Sequence, residues 1–172
     1  MKGNSNKRDD DKIKVLFVCL GNICRSPAGE GALKKIIQDL SLDEKFIVDS
    51  CGTASYHIGA LPHETTRKVA LENDIYLTHR ARQFNHDSDF KYFDFILAMD
   101  QSNLANLKSL AKTKEDHSKL HLFRNFEEGS IEKEVPDPYY GNISGFREVQ
   151  TIVMNASLGF INHLKRIGKI TT

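Results

Sequence analysis

The chain has 172 residues, 40% of them hydrophobic and 27% charged, with a formal charge of +1. That length suits one domain that buries its own core, and the near-neutral balance excludes the global field that draws a protein to nucleic acid or to a membrane surface. Three cysteines, an odd and small number, argue against a secreted disulfide scaffold and for a reducing, cytoplasmic compartment.

Residues 1–12 are polar and charged with no apolar stretch, which predicts a disordered charged tail and no signal peptide. The run Ile13 to Cys19 is β-branched and aromatic and reads as a buried strand. Gly21 and Asn22 break it. Ser26-Pro27 then has the form of an N-cap followed by proline at the first helical position. Ala32, Leu33, Ile36, Ile37 and Leu40 recur behind it at helical spacing. Phe46 to Asp49 reads as a short strand, Gly52 to Pro62 as loop and Pro62 to Asn73 as helix. Phe93 to Met99 is a second apolar strand, and Asp100 can cap a helix that carries Leu104, Leu107 and Ala111. Lys119 to Phe123 is a further short strand, Arg124 to Tyr140 is irregular, and Ser144 caps a last long helix with Phe146, Val149, Val153, Phe160 and Leu164 as its buried stripe. Strands alternating with helices predict a single α/β domain over 13–168, with a parallel sheet flanked by helices on both faces. Such sheets bind ligands at the carboxyl ends of their strands, where the segment after Cys19 sits.

That segment carries the chemistry. Cys19-Leu20-Gly21-Asn22-Ile23-Cys24-Arg25-Ser26 is a Cys-x5-Arg-Ser motif between a buried strand and a helix. A loop of this length can curl until its backbone N–H groups converge at a helix N-terminus, which makes an anion cradle. Gly21 and Asn22 are residue types that tolerate the left-handed conformations of such a curl. Arg25 adds a planar fork matched to two phosphate oxygens. The same field favours a thiolate at Cys19, to which Ser26 can donate. Far along the chain, Asp137 stands between Pro136 and Pro138 as a stiffly held acid for a leaving oxygen, and Tyr139 and Tyr140 offer flat walls for an aromatic ring. His117 and His121 are four apart, but an intervening strand separates them, so they read as solvated histidines and no metal site is expected. Cys51 reads as packing near the loop.

These motifs resemble the low-molecular-weight protein tyrosine phosphatase family over nearly the whole chain from Ile13. The resemblance is carried by V-C-L-G-N-I-C-R-S-P and D-P-Y-Y-G, in that order and widely separated. It is supported by D-S-C-G-T-A-S-Y-H-I-G from Asp49, H-R-A-R-Q from His79 and F-D-F-I-L-A-M-D from Phe93. It implies a four-stranded parallel sheet with a phosphate-binding loop after the first strand. It implies Cys19 as nucleophile, Arg25 as phosphate clamp and Asp137 as general acid and then base. Asn22, Ser50 and His79 would hold the loop in shape, Ser26 would stabilise the leaving thiolate, and Tyr56, Tyr139 and Tyr140 would flank the substrate ring. Gly29 departs from the usual pattern and is expected to loosen the first helical turn.

The expected activity is hydrolysis of phosphotyrosine, in a protein or as an aryl phosphate, through a cysteinyl-phosphate intermediate. It calls for no cofactor, metal, nucleic acid or membrane, and for a monomer. Cys24 lies five residues from Cys19, and a tight curl would let it capture an oxidised Cys19 as a reopenable disulfide; the resemblance implies the same role. Three rivals stand beside this reading. A thiol-linked arsenate reductase needs relay cysteines that are absent after Cys51. A protein arginine phosphatase typically carries Thr where Ile23 stands. A phosphate-binding module with a dead site would have no reason to keep Cys19, Arg25 and Asp137 together.

Overall fold

The computed structural model of the protein describes residues 9–130 and 133–171. The tail expected over 1–12 lies outside the described residues except for its last four, where the Lys12 N–H closes a turn on the Asp9 carbonyl. Strand β1 spans Ile13–Cys19 and leads through the Leu20–Cys24 loop into helix α1, Arg25–Asp39. Strand β2, Phe46–Gly52, and helix α2, Glu64–Leu71, follow; then come the short helix α3, Asp89–Tyr92, strand β3, Phe95–Ala98, and helix α4, Gln101–Leu110. Helix α5, Lys114–Ser118, strand β4, Leu120–Leu122, and the long helix α6, Ile143–Arg166, complete the chain.

All three strand pairings are parallel and the order is β2-β1-β3-β4, so the expected four-stranded sheet is present. The chain passes to one side of β1 to make β2 and to the other side to make β3. The switch point of the topology therefore lies at the carboxyl ends of β1 and β3, where open α/β sheets take their ligands. Successive β1 side chains serve opposite faces. Val15 and Phe17 pack with Ala32 and Leu33 of α1 and Val153 and Phe160 of α6, whereas Leu16 and Val18 pack with Phe84, Phe90, Leu104 and Leu107. Each fully buried Val, Leu or Phe among them contributes about 1.5–3 kcal/mol.

Several boundaries differ from the sequence reading. Helix α1 starts at Arg25, with Cys24 in the cap position, because the Ser26 hydroxyl is occupied by the loop rather than by the helix end. Pro27 is then its third residue, still in the first turn, where no intrahelical donor is lost. Gly29 does not loosen that turn: a Cβ there would lie 2.8 Å from both Met99 and Phe17, so the glycine lets α1 lie close on the sheet. Strand β2 runs three residues further than expected because its pairing with β1 continues to Cys19 opposite Gly52. Helix α2 is shorter than 62–73, and left-handed Asp74 (φ 58°) turns the chain away just beyond it. Helix α6 is capped by Asn142, whose side chain accepts the Ser144 N–H at 3.1 Å; Ser144 itself is inside the first turn. Helices α3 and α5 have four and five residues, too short to print a period on the sequence.

Candidate active site

Cys19 ends β1 at 3% exposure, on the floor of the loop. Its sulfur accepts the Asn22 N–H at 3.3 Å and lies 3.0 Å from Ser26 Oγ. Asn22 is the loop residue with a left-handed backbone (φ 56°); Gly21 does not share it. Asn22 then works in every direction. Its amide nitrogen donates to Ser26 Oγ at 2.8 Å and Ser50 Oγ at 3.0 Å. Its Oδ1 accepts the Arg82 N–H at 3.0 Å and faces His79 Nε2 at 2.8 Å. An amide oxygen only accepts, so His79 carries its proton on Nε2 in this arrangement. Ser26 Oγ is also 3.3 Å from the Cys51 carbonyl. Because it owns one proton, a thiolate at Cys19 draws that proton from the carbonyl to the sulfur. Strand β2 closes the loop from beside it, since a Cβ on Gly52 would stand 2.6 Å from the Leu20 carbonyl.

Arg25 is 3% exposed. Its Nη1 donates to Asp100 Oδ2 at 2.6 Å and to the Val135 carbonyl at 3.2 Å, and its Nη2 stands 3.7 Å from Asp137 Oδ2. Burial alone would lower its pKa, but the Cys19 sulfur, Asp100 and Asp137 outweigh it and hold the guanidinium more firmly charged than usual. With Nη1 engaged, Nε and Nη2 are left to meet an anion side by side. Asp100 is the residue that the sequence placed only as a cap. Its Oδ1 does cap α4 through the Asn103 N–H at 2.7 Å, while the other oxygen orients Arg25. Its position just past β3, at the switch point, is the signal that would have found it.

Asp137 is half exposed on a loop whose flanks are fixed. The Val135 N–H donates to the Met99 carbonyl at 2.8 Å, and Pro138 is buried. Together with Cys19 and Arg25 it opens on a cleft of about 320 Å³ walled by Leu20, Ile23, Tyr56, Tyr139 and Tyr140. Tyr56 and Tyr140 are 73% and 95% exposed, so they stand at the rim, and Tyr139 lies deeper at 40%. The cleft also takes in His57, which the sequence reading passed over.

Behind the loop, His79 Nδ1 is 3.4 Å from both Glu30 Oε1 and Asp49 Oδ1. These three groups bring ligand atoms within 4.8 Å of one another. Each carboxylate already holds a cation, Glu30 through Lys34 at 2.9 Å and Asp49 through Arg82 at 3.0 Å. The cluster lies on the side of the His79 ring away from Asn22. Burial pushes the Cys24 thiol up to about 12, against a smaller lowering from its bond with the Thr66 side chain. Cys51 is fully buried in the core on the far face of the sheet, and burial pushes its pKa well up. His117 is exposed on α5 as expected. His121 is only partly exposed: it lies on β4 between the rings of Phe95 and Phe126, and burial, then His163, push its pKa down.

The arrangement offers a sulfur that accepts the Asn22 N–H on the floor of a loop, a clamped guanidinium and a carboxyl group over one opening. Known proteins resemble the chain as a whole. The family described as low molecular weight phosphotyrosine protein phosphatase matches residues 14–169. The low molecular weight phosphotyrosine protein phosphatase of Schizosaccharomyces pombe is 40% identical over 153 residues, which is 88% of this chain and 97% of that protein. A crystal structure of a protein tyrosine phosphatase from Entamoeba histolytica, with Hepes in its active site, superposes with a TM-score of 0.86 at 42% identity, covering 92% of this chain and all of that one. The crystal structure of DARP, a drosophila arginine phosphatase, has a TM-score of 0.83 at 31% identity and covers 89% of this chain and 98% of its own.

Proposed function

The chain belongs to the low molecular weight phosphotyrosine protein phosphatase family, and from that premise we propose that it hydrolyses phosphotyrosine through a phosphocysteine at Cys19. The Cys19 sulfur attacks phosphorus in line as the bond from phosphorus to the phenolic oxygen breaks. Asp137 gives its proton to that oxygen. Water then attacks the phosphocysteine, Asp137 takes the proton back, and phosphate leaves as the thiolate returns. Loop N–H groups and the Nε and Nη2 of Arg25 hold the three equatorial oxygens, the electrostatic work that a metal does in other phosphoryl-transfer sites. Ser26 stabilises the sulfur as attacking and departing thiolate, with Asn22, Ser50 and His79 holding the loop around it.

The observation that carries this reading is convergence. The Asp137 carboxylate lies 3.7 Å from an Arg25 whose loop holds the Cys19 sulfur, although 112 and 118 positions of sequence separate them. Tyrosine is favoured as the substrate side chain because the sulfur is buried at the floor while Tyr56, Tyr139 and Tyr140 wall the way in. A flat phenyl ring is the substrate group that such aromatic walls suit. Every wall comes from one chain, so a monomer suffices. A nucleophilic thiol also keeps its activity where thiols are held reduced, which fits the cytosol. Among the described residues no helix is long and apolar enough to cross a membrane.

Side-by-side turnover of phosphotyrosine, phosphoserine and phosphoarginine peptides tests the substrate. Phosphotyrosine should lead in kcat/KM. Preference for phosphoarginine, the activity named for the drosophila relative, would overturn the substrate while leaving the nucleophile in place.

A further inference from the structure

The geometry points to His63 as a positioning residue for the acid loop, acting on Asp137 through Tyr139. The inference rests on the reading of Asp137 as the general acid. His63 stands where four parts of the molecule meet. Its N–H donates to the carbonyl of Ile23, in the phosphate-binding loop, at 2.7 Å. Its Nδ1 accepts the Thr65 N–H at 3.1 Å and so caps α2, which leaves the ring proton on Nε2 and fixes the plane of the ring. That plane stacks on Phe146 of α6, with centroids 5.0 Å apart and 26° between the rings. Against it the ring of Tyr139 stands edge-on, 5.8 Å away at 71°.

Tyr139 is two residues beyond Asp137, and its N–H donates to Asp137 Oδ1 at 3.2 Å. The remaining ion pair of that carboxylate is the 3.7 Å approach to Arg25. Where Asp137 stands over the phosphate loop thus depends on where Tyr139 stands, and Tyr139 leans on the ring of a residue whose backbone N–H holds Ile23 of that same loop. His57 meets the Tyr139 ring too, but at 6.4 Å and 38°, a looser contact. A histidine is suited to this place because it caps the helix with one edge and offers a face and a flank to two aromatic rings.

Those two duties are separable. His63→Asn keeps an acceptor for the Thr65 N–H and removes the ring; His63→Phe keeps a ring and removes the acceptor. The experiment measures kcat/KM for aryl phosphates of graded leaving-group pKa, alongside Tm, for both variants and for Asp137→Ala. His63→Asn should keep the cap but lose some Tm with the Phe146 stack, and should lose about 3- to 10-fold on poor leaving groups, the range set by one aromatic contact, and little on good ones. Its dependence on the leaving group should steepen toward that of Asp137→Ala. His63→Phe should lose Tm and keep the wild-type dependence. In a Tyr139→Leu background, His63→Asn should cost nothing further. A wild-type dependence in His63→Asn, or the same steepening in both variants, overturns the role of the ring, and should His63→Phe not fold, His63→Asn with and without Tyr139→Leu decides. If Asp137→Ala itself fails to steepen the dependence, it is the acid assignment that has fallen, and this inference falls with it.

Discussion

Asn22 holds Ser26, Ser50, His79 and the Arg82 backbone at once, and only a left-handed backbone lets its side chain turn under the loop to do so. Such a residue is visible in a sequence as a bend, but its partners, 4 to 60 positions away, are not. That Cys19, Arg25 and Asp137 line one cleft was legible because the proposed chemistry needs those residue types beside a strand end, a helix start and a stiff loop. Asp100 and His57 were not, because a capping aspartate and a loop histidine have ordinary local explanations. Arg25 now spans Asp100, the Val135 carbonyl and the open cleft. Arg25→Lys should therefore lower kcat/KM almost as far as Arg25→Ala, by the roughly 10²–10³-fold typical of a lost transition-state donor. A lysine that restored most of the activity would remove the two-pronged clamp. The Cys24 thiol, pushed up to about 12, is protonated at neutral pH. If it captures the sulfenic acid of Cys19 as a disulfide, its thiolate must attack the Cys19 sulfur and expel hydroxide. Disulfide formation after peroxide should then accelerate steadily as pH rises from about 7 to 9, and Cys24→Ser should not recover with a thiol reductant. Equal recovery of both proteins would leave Cys24 as packing only.

Strand β1 was read with both ends in place, whereas β2, α1, α2 and α6 each have an end displaced by two or three residues. At the starts of α1 and α6 the cause is the same: a polar side chain near an end can be claimed by something other than the nearest helix. Ser26 is taken by the loop after β1, and Ser144 is displaced as cap by Asn142. Asn142→Ala should accordingly cost about 1 kcal/mol of stability, whereas Ser144→Ala should cost little, as measured by urea unfolding; the reverse order would restore Ser144 as the cap. Helix α1 shows the opposite case. Gly29 looks like a weak point in a helix read alone, and becomes necessary once Phe17 and Met99 occupy the space beneath it.

At the scale of the whole molecule, alternation of strands and helices predicted a parallel sheet, and the β2-β1-β3-β4 order converts that sheet into a site by placing the loop after β1 beside Asp100 after β3. Strand order is not written in local pattern, so the pairing of those two ends could be seen only in the fold. The packed sheet also carries a titrating group. Burial and then His163 hold His121 below its ordinary pKa of 6.5. In the interval beneath 6.5 the unfolded chain takes up a proton that the folded chain refuses. His121 therefore contributes stability that is fully present above pH 6.5 and lost as pH falls through the window below it. Unfolding free energies at about pH 7.5 and 5.5 should differ less in His121→Phe than in wild type; an unchanged difference would place the acid lability elsewhere. The most direct test of the whole account is to quench turnover of a phosphotyrosine peptide within one catalytic cycle and locate phosphate by mass spectrometry. The account predicts one phosphoryl group on the Cys19 sulfur, accumulating before free phosphate appears and absent from Cys19→Ser, which should bind phosphate without turning over. Phosphate on another residue, or turnover by Cys19→Ser within tenfold of wild type, would contradict it.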